Sequence, residues 1–129
     1  MKNITDDSIL RLIKVTADKL VIPNQDGGTI RECGNPYQIG DDIILMYTMS
    51  FPNGQEWVYY SYCNKDNLSN WTHKGKLNIN RQMEDPDLLD VAGRIILRAE
   101  DKTNESTHVV CQFGSANWDY KTNTGNKFP

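Results

Sequence analysis

At 129 residues, with 38% hydrophobic and 24% charged residues, the chain has the length of one soluble globular domain with a modest core. A net charge of −3 with no Lys/Arg cluster excludes binding driven by a nucleic-acid backbone, which needs a basic stripe. No run approaches the ~20 apolar residues of a membrane span, and residues 1–7 lack a signal-peptide core, so the expectation is cytoplasmic, with no membrane partner.

Taken in order, the chain opens with Asp6-Asp7-Ser8 before a short apolar run over residues 9–15. That run fits a capped helix or a strand, and its β-branched content tilts it to an extended segment. Leu20-Val21-Ile22-Pro23 and the loop Asn24-Gln25-Asp26-Gly27-Gly28 follow. Residues 35–39 read as a short strand with Pro36 near its start, where a missing N–H is tolerated. Gly40-Asp41-Asp42 is a hairpin turn, and residues 43–49 form a buried strand. After the Asn53-Gly54 turn, residues 57–63 form an aromatic strand. A polar loop and a short outer strand over residues 71–77 complete the unit.

A second unit uses the same grammar. Residues 85–89, 94–99 and 107–113 read as strands, Asp90-Val91-Ala92-Gly93 as a turn and 100–106 as a polar loop. Trp118-Asp119-Tyr120-Lys121 takes the place of the outer strand, and residues 122–129 are a polar tail. Pro36 to Pro86 is a spacing of 50, Leu45 to Leu97 of 52, and Trp71 to Trp118 of 47. Four short strands repeated near 50 residues is the pattern of a β-propeller blade. The fold expected is therefore all-β and propeller-like: an N-terminal segment over 1–32, one antiparallel four-stranded blade over 33–80, another over 81–121, and a tail over 122–129, all in one domain. Closed propellers take ~4 to 8 blades. Two blades point to a piece of a longer protein, or to self-association through open blade faces.

The first strand of a blade lines the central channel, which is where Asn35 and Asp85 fall. Asn-Pro-Tyr-x-Ile-Gly-Asp, an Ile-Leu-x-Tyr-Thr strand and Asn-Leu-Ser-Asn-Trp-Thr resemble one blade of the five-bladed propeller glycoside hydrolases. That is the arabinanase and β-xylosidase group, to which invertases and levansucrases are related. Glu84-Asp85-Pro86-Asp87-Leu88-Leu89 with Gly93-Arg94-Ile95-Ile96-Leu97 resembles the next blade. The resemblance covers roughly residues 33 to 121. It implies glycoside cleavage by channel carboxylates whose environments push their pKa values apart.

On the same resemblance Asp85 matches the aspartate that orients substrate and tunes the acid. Asn35 stands where a first-blade aspartate is expected, and an amide cannot act as a base. Glu32 is close enough in sequence to compensate, so Asn35 and Glu32 are read as substrate-binding. The acid glutamate belongs to a blade that these residues do not hold, which leaves the catalytic set incomplete. The implied partner is an oligo- or polysaccharide, with no cofactor and no metal. The alternative is a non-catalytic carbohydrate-binding or assembly module on the same fold; a β-sandwich interaction domain is a third reading. Bland roles fit the rest: Glu84 and Asp87 as solvated carboxylates, Trp57, Tyr59, Tyr60, Tyr62, Trp71 and Trp118 as core, His73 and His108 as structural. Cys33, Cys63 and Cys111 lack metal-ligand spacing and read as reduced structural thiols.

Overall fold

The computed structural model of the chain describes residues 2–3, 22–91, 94–102, 108–113 and 118–124. These residues form two antiparallel sheets and no helix, so none of them belongs to a helix long and apolar enough to cross a membrane. The first sheet holds β1 (Lys2–Asn3), β2 (Thr29–Cys33), β3 (Tyr37–Ile39), β4 (Asp42–Ser50), β5 (Glu56–Asn64) and β6 (Thr72–Lys76). Its order is β1-β3-β4-β5-β6, with β2 also paired to β4. The second sheet runs β7 (Met83–Val91), β8 (Arg94–Asp101), β9 (His108–Phe113) in sequence order. The strands of the two units do not interleave.

β2 and β3 are two halves of one bent strand. Thr29 pairs with Ser50 and Ile39 with Asp42, so both halves run along the same edge of β4. Between them the Gly34 N–H still donates to the Met46 carbonyl at 2.8 Å. The bend falls at Asn35-Pro36, where proline removes a ladder donor. β7 bends at the matching place: its register on β8 slips by one residue between Glu84 and Asp87, a bulge centred on Asp85-Pro86. Each unit thus opens with a strand broken at Asn/Asp-Pro, and β7 lies against β2, β4 and β5.

The two faces of β4 feed two cores. Ile43, Leu45, Tyr47 and Met49 point to one side and pack with Ile22, Tyr59, Cys63 and Trp71. Ile44 and Met46 point to the other and pack, with Val58 and Tyr60, against Leu88, Ile95, Leu97 and Ala99 of the second sheet and against Trp118 beyond it. At a spacing of 52, Ile95 and Leu97 are the counterparts of Ile43 and Leu45. The second sheet therefore presents its first face to the opposite face of the first sheet. The units stack head to tail, unlike sheets related by a two-fold axis, which would bring like faces together.

Three expectations shift. The first sheet begins before residue 33, because β1 and β2 fall inside the supposed N-terminal segment. β2 was hidden because its side chains are largely exposed and show no apolar alternation. In place of a fourth strand, residues 118–124 form a turn closed by a bridge between Asp119 and Thr124. The apolar run at 9–15, the turn residues 92–93, most of the loop at 100–106 and the tail from 125 lie outside the described residues.

Candidate functional site

The two broken strands meet. The Asn35 N–H, freed from the ladder by the bend, donates to Asp87 Oδ1 at 2.8 Å. Asp85 takes a left-handed φ of 51°, a conformation that aspartate tolerates better than most residues. Its N–H turns away from β8 and donates to the buried Thr48 Oγ1 at 3.0 Å, tying the bulge to the first sheet. The bulge aims Asp85 into a cleft of about 190 Å3 that Asp87, Arg98, Ala99 and Glu100 also line. A larger hollow of about 250 Å3, lined by residues 76–80 with Thr122 and Asn123, holds no carboxylate.

Glu32, from β2, reaches Asp85. The Asp85 carboxyl is pushed above its ordinary value by lost hydration first, then by the charge of Glu32 and a hydrogen bond with it, then by Glu100. Asp85 stays open to solvent on one side, so its acidic neighbours are the removable part of that shift. Glu84 and Glu100 face each other across the β7–β8 ladder, an unfavourable pairing of like charges. One oxygen from each of Glu84, Asp85 and Glu100 lies within 4.8 Å of the others, a spacing that fits oxygens around one hard cation.

The second member of this group bridges the sheets. Glu84 is raised to about 7, chiefly by a hydrogen bond with Glu56 of β5, then by burial and the Glu56 charge. Burial works against ionisation of Glu56, but the bond from Glu84 and the nearby Lys102 hold it below its ordinary value. Lys102 Nζ lies 3.5 Å from Glu56 Oε1. Glu56 Oε2 is buried, and a proton held on Glu84 leaves one charge rather than two on the hydrogen-bonded pair.

The sign of the resulting pH effect follows. A carboxyl raised in the folded chain adds stability below its unfolded value of 4.5, and that contribution fades as pH climbs to about 7. Glutamine at position 84 cannot lose its donor. Glu84→Gln is therefore expected to match wild type in urea unfolding at pH 5 and to exceed it at pH 8 by about 1 kcal/mol, the scale of a partly exposed hydrogen bond to a charge. A variant that is less stable than wild type at pH 8 would show that the shared proton is not what joins these residues.

Of the predicted site residues, Glu32 and Asp85 are brought together. Asn35 is adjacent, but its side chain is exposed and its backbone makes the contact. Glu84 and Asp87, read as solvated, are both engaged. Glu56, Arg98 and Glu100 were missed. The signal for Glu100 was its spacing of 52 from Thr48, which makes it a strand residue rather than part of a loop. Among the thiols, Cys63 is buried, which raises it to about 12, as a structural thiol should be. Cys33 is exposed rather than packed in a core. Comparison with protein-family models, with curated proteins and with solved structures returned no match.

Proposed function

We propose that the chain forms one wall of a carbohydrate site on two propeller-like blades, in the manner of the five-bladed glycoside hydrolases it resembles. The observation that carries this reading is the place of Asp85. It sits in the left-handed turn of a Pro bulge at the start of a unit's first strand, beside the matching Asn35-Pro36 bend. Head-to-tail stacking supports neighbouring blades over a β-sandwich. In this reading Asp85 and Asp87 accept hydrogen bonds from sugar hydroxyls and Arg98 donates to them.

Hydrolysis would need a carboxylate across the glycosidic bond, at about 5–5.5 Å for retention or 6.5–9.5 Å for inversion. The oxygens of Glu84, Asp85 and Glu100 are crowded within 4.8 Å on one wall. That spacing, with Asn35 in the other unit, favours sugar binding without cleavage as the second reading for this chain alone.

Asp85→Asn keeps the shape and tolerates the same φ while removing the charge. Titration of arabino-, xylo- and fructo-oligosaccharides, followed by amide NMR shifts, should move Asp85, Asp87 and Arg98 in wild type. The variant should bind at least about tenfold more weakly, the scale of one hydrogen bond to a charged group. Parallel assays with chromogenic arabinosides, xylosides and fructosides separate cleavage from binding. Absence of both from wild type would sink the proposal.

A further inference from the structure

On the far side of the first sheet a row of polar groups crosses an apolar face. Gln25 Nε2 donates to the Tyr47 hydroxyl. The Tyr47 hydroxyl meets Ser61 Oγ at 2.7 Å, and Ser61 Oγ meets His73 Nδ1 at 2.9 Å. Tyr47 and Ser61 are fully buried among Leu45, Met49, Tyr59 and Cys63, whereas His73 is exposed. A register slip in β5–β6 between Tyr60 and Ser61, with Gly75 at φ 96°, sets His73 directly opposite Ser61.

The hydrogens in this row have one consistent order. The Gln25 amide can only donate here, so the Tyr47 oxygen accepts and its hydrogen goes to Ser61. The Ser61 hydrogen then goes to a bare His73 Nδ1, which places the imidazole proton on Nε2. Protonation of Nδ1 turns the last acceptor into a donor. Four donors then share three links, and one buried hydroxyl hydrogen has no acceptor.

The far end of the row holds a loop. The Gly28 N–H donates to the Gln25 carbonyl at 2.8 Å, so the turn closes on Gln25. Asp26 Oδ2 accepts from the Tyr59 hydroxyl at 2.7 Å. We propose that His73 is the proton-sensing end of this row, and that its protonation loosens the loop of residues 24–28 from the first sheet.

Among the described residues, the other titratable groups on this face are Tyr47, Tyr59 and Cys63 of the sheet, Cys33 opposite Tyr47 on β2, and Asp26 of the loop. On its own strand His73 has Lys74 and Lys76, and the Lys76 ammonium lies 3.5 Å from the Trp57 ring centre. Among side-chain types, imidazole is the one whose ordinary value lies between pH 5 and 8. Partial loss of hydration where the ring lies on the sheet lowers His73 from its ordinary 6.5, so the folded chain holds this proton less well than the unfolded chain. Stability present above 6.5 is lost as pH falls.

The test is amide hydrogen exchange at Gln25 and Gly28, corrected for intrinsic rates, between pH 7.5 and 5 in wild type and His73→Gln. Exchange should rise about tenfold in wild type as pH falls, the scale of one buried hydroxyl left without an acceptor, and should stay level in the variant. Should the variant fold poorly, NMR titration of His73 in wild type and Ser61→Ala gives a second reading, with the His73 midpoint rising in Ser61→Ala. Level exchange in wild type, an equal rise in both proteins, or an unmoved His73 midpoint would overturn the proposal.

Discussion

Gly34→Ala is expected to destabilise the protein by about 3 kcal/mol in urea unfolding, at the upper end of overpacking penalties. The residue lies where the bent β2–β3 strand crosses the β7 bulge. A Cβ at position 34 would fall inside contact distance of the Pro86 carbonyl oxygen, and 3.1 Å from both the Pro86 carbonyl carbon and Asp87 Oδ1. Neither backbone can retreat freely. The Gly34 N–H is held by the Met46 carbonyl at 2.8 Å, and the next N–H by Asp87 Oδ1 at 2.8 Å. On the other side the Asp85 N–H is held by Thr48. Gly40→Ala is the comparison: a Cβ there meets nothing within 4 Å, and φ of 59° leaves only left-handed strain, about 1 kcal/mol. Equal losses from the two substitutions would mean that the broken strands of the two units do not touch at Gly34.

Strands buried on both sides were legible in the sequence. Residues 43–49 and 57–63 announce themselves by β-branched and aromatic content, and Gly40 and Gly54 mark the turns between strands with φ of 59° and 83°. β2 was not legible, because Thr-Ile-Arg-Glu-Cys is held by backbone pairing at an edge and its side chains carry little of the cohesion. The repeat was legible as a spacing, but not its consequence, that matched residues Leu45 and Leu97 lie in different cores. The site was legible where proline marks it. Asp85 stood out beside Pro86, and Glu32 by nearness to Asn35. Glu56 and Glu84 join only because the Asp85 bulge lays β7 across the start of β5, a contact between positions far apart in sequence.

The second large effect lies at the other end of the stack. Trp118→Ala is expected to cost about 4 kcal/mol, within the range for emptying a buried aromatic site. Trp118 is 4% exposed and meets the Tyr60 ring edge-on, with centroids 5.4 Å apart at 67°. It also anchors a strap. Tyr60 donates to the Tyr120 carbonyl, and the Tyr120 hydroxyl donates to Asp42 Oδ2. Asn123 Nδ2 donates to the Lys76 carbonyl at 2.7 Å, and Asn123 Oδ1 accepts from the Asn78 N–H at 3.1 Å. Lys121 and Asp42, 3.9 Å apart at the surface, add little. Trp71 separates packing loss from strap loss. It is the matched residue of the first unit, buried in the other core, with its indole N–H donating to the Leu68 carbonyl at 2.8 Å. Trp71→Ala empties a comparable volume but leaves residues 118–124 in place. Exchange at the Asn78 amide should therefore accelerate in Trp118→Ala beyond the change in global stability, and should only track that change in Trp71→Ala. Equal acceleration in both would show that residues 118–124 fold and unfold with the sheets as one unit. A difference would make the strap a separate cooperative element, fastened to the first sheet by Tyr60, Asp42 and Asn78 although its tryptophan belongs by repeat to the second.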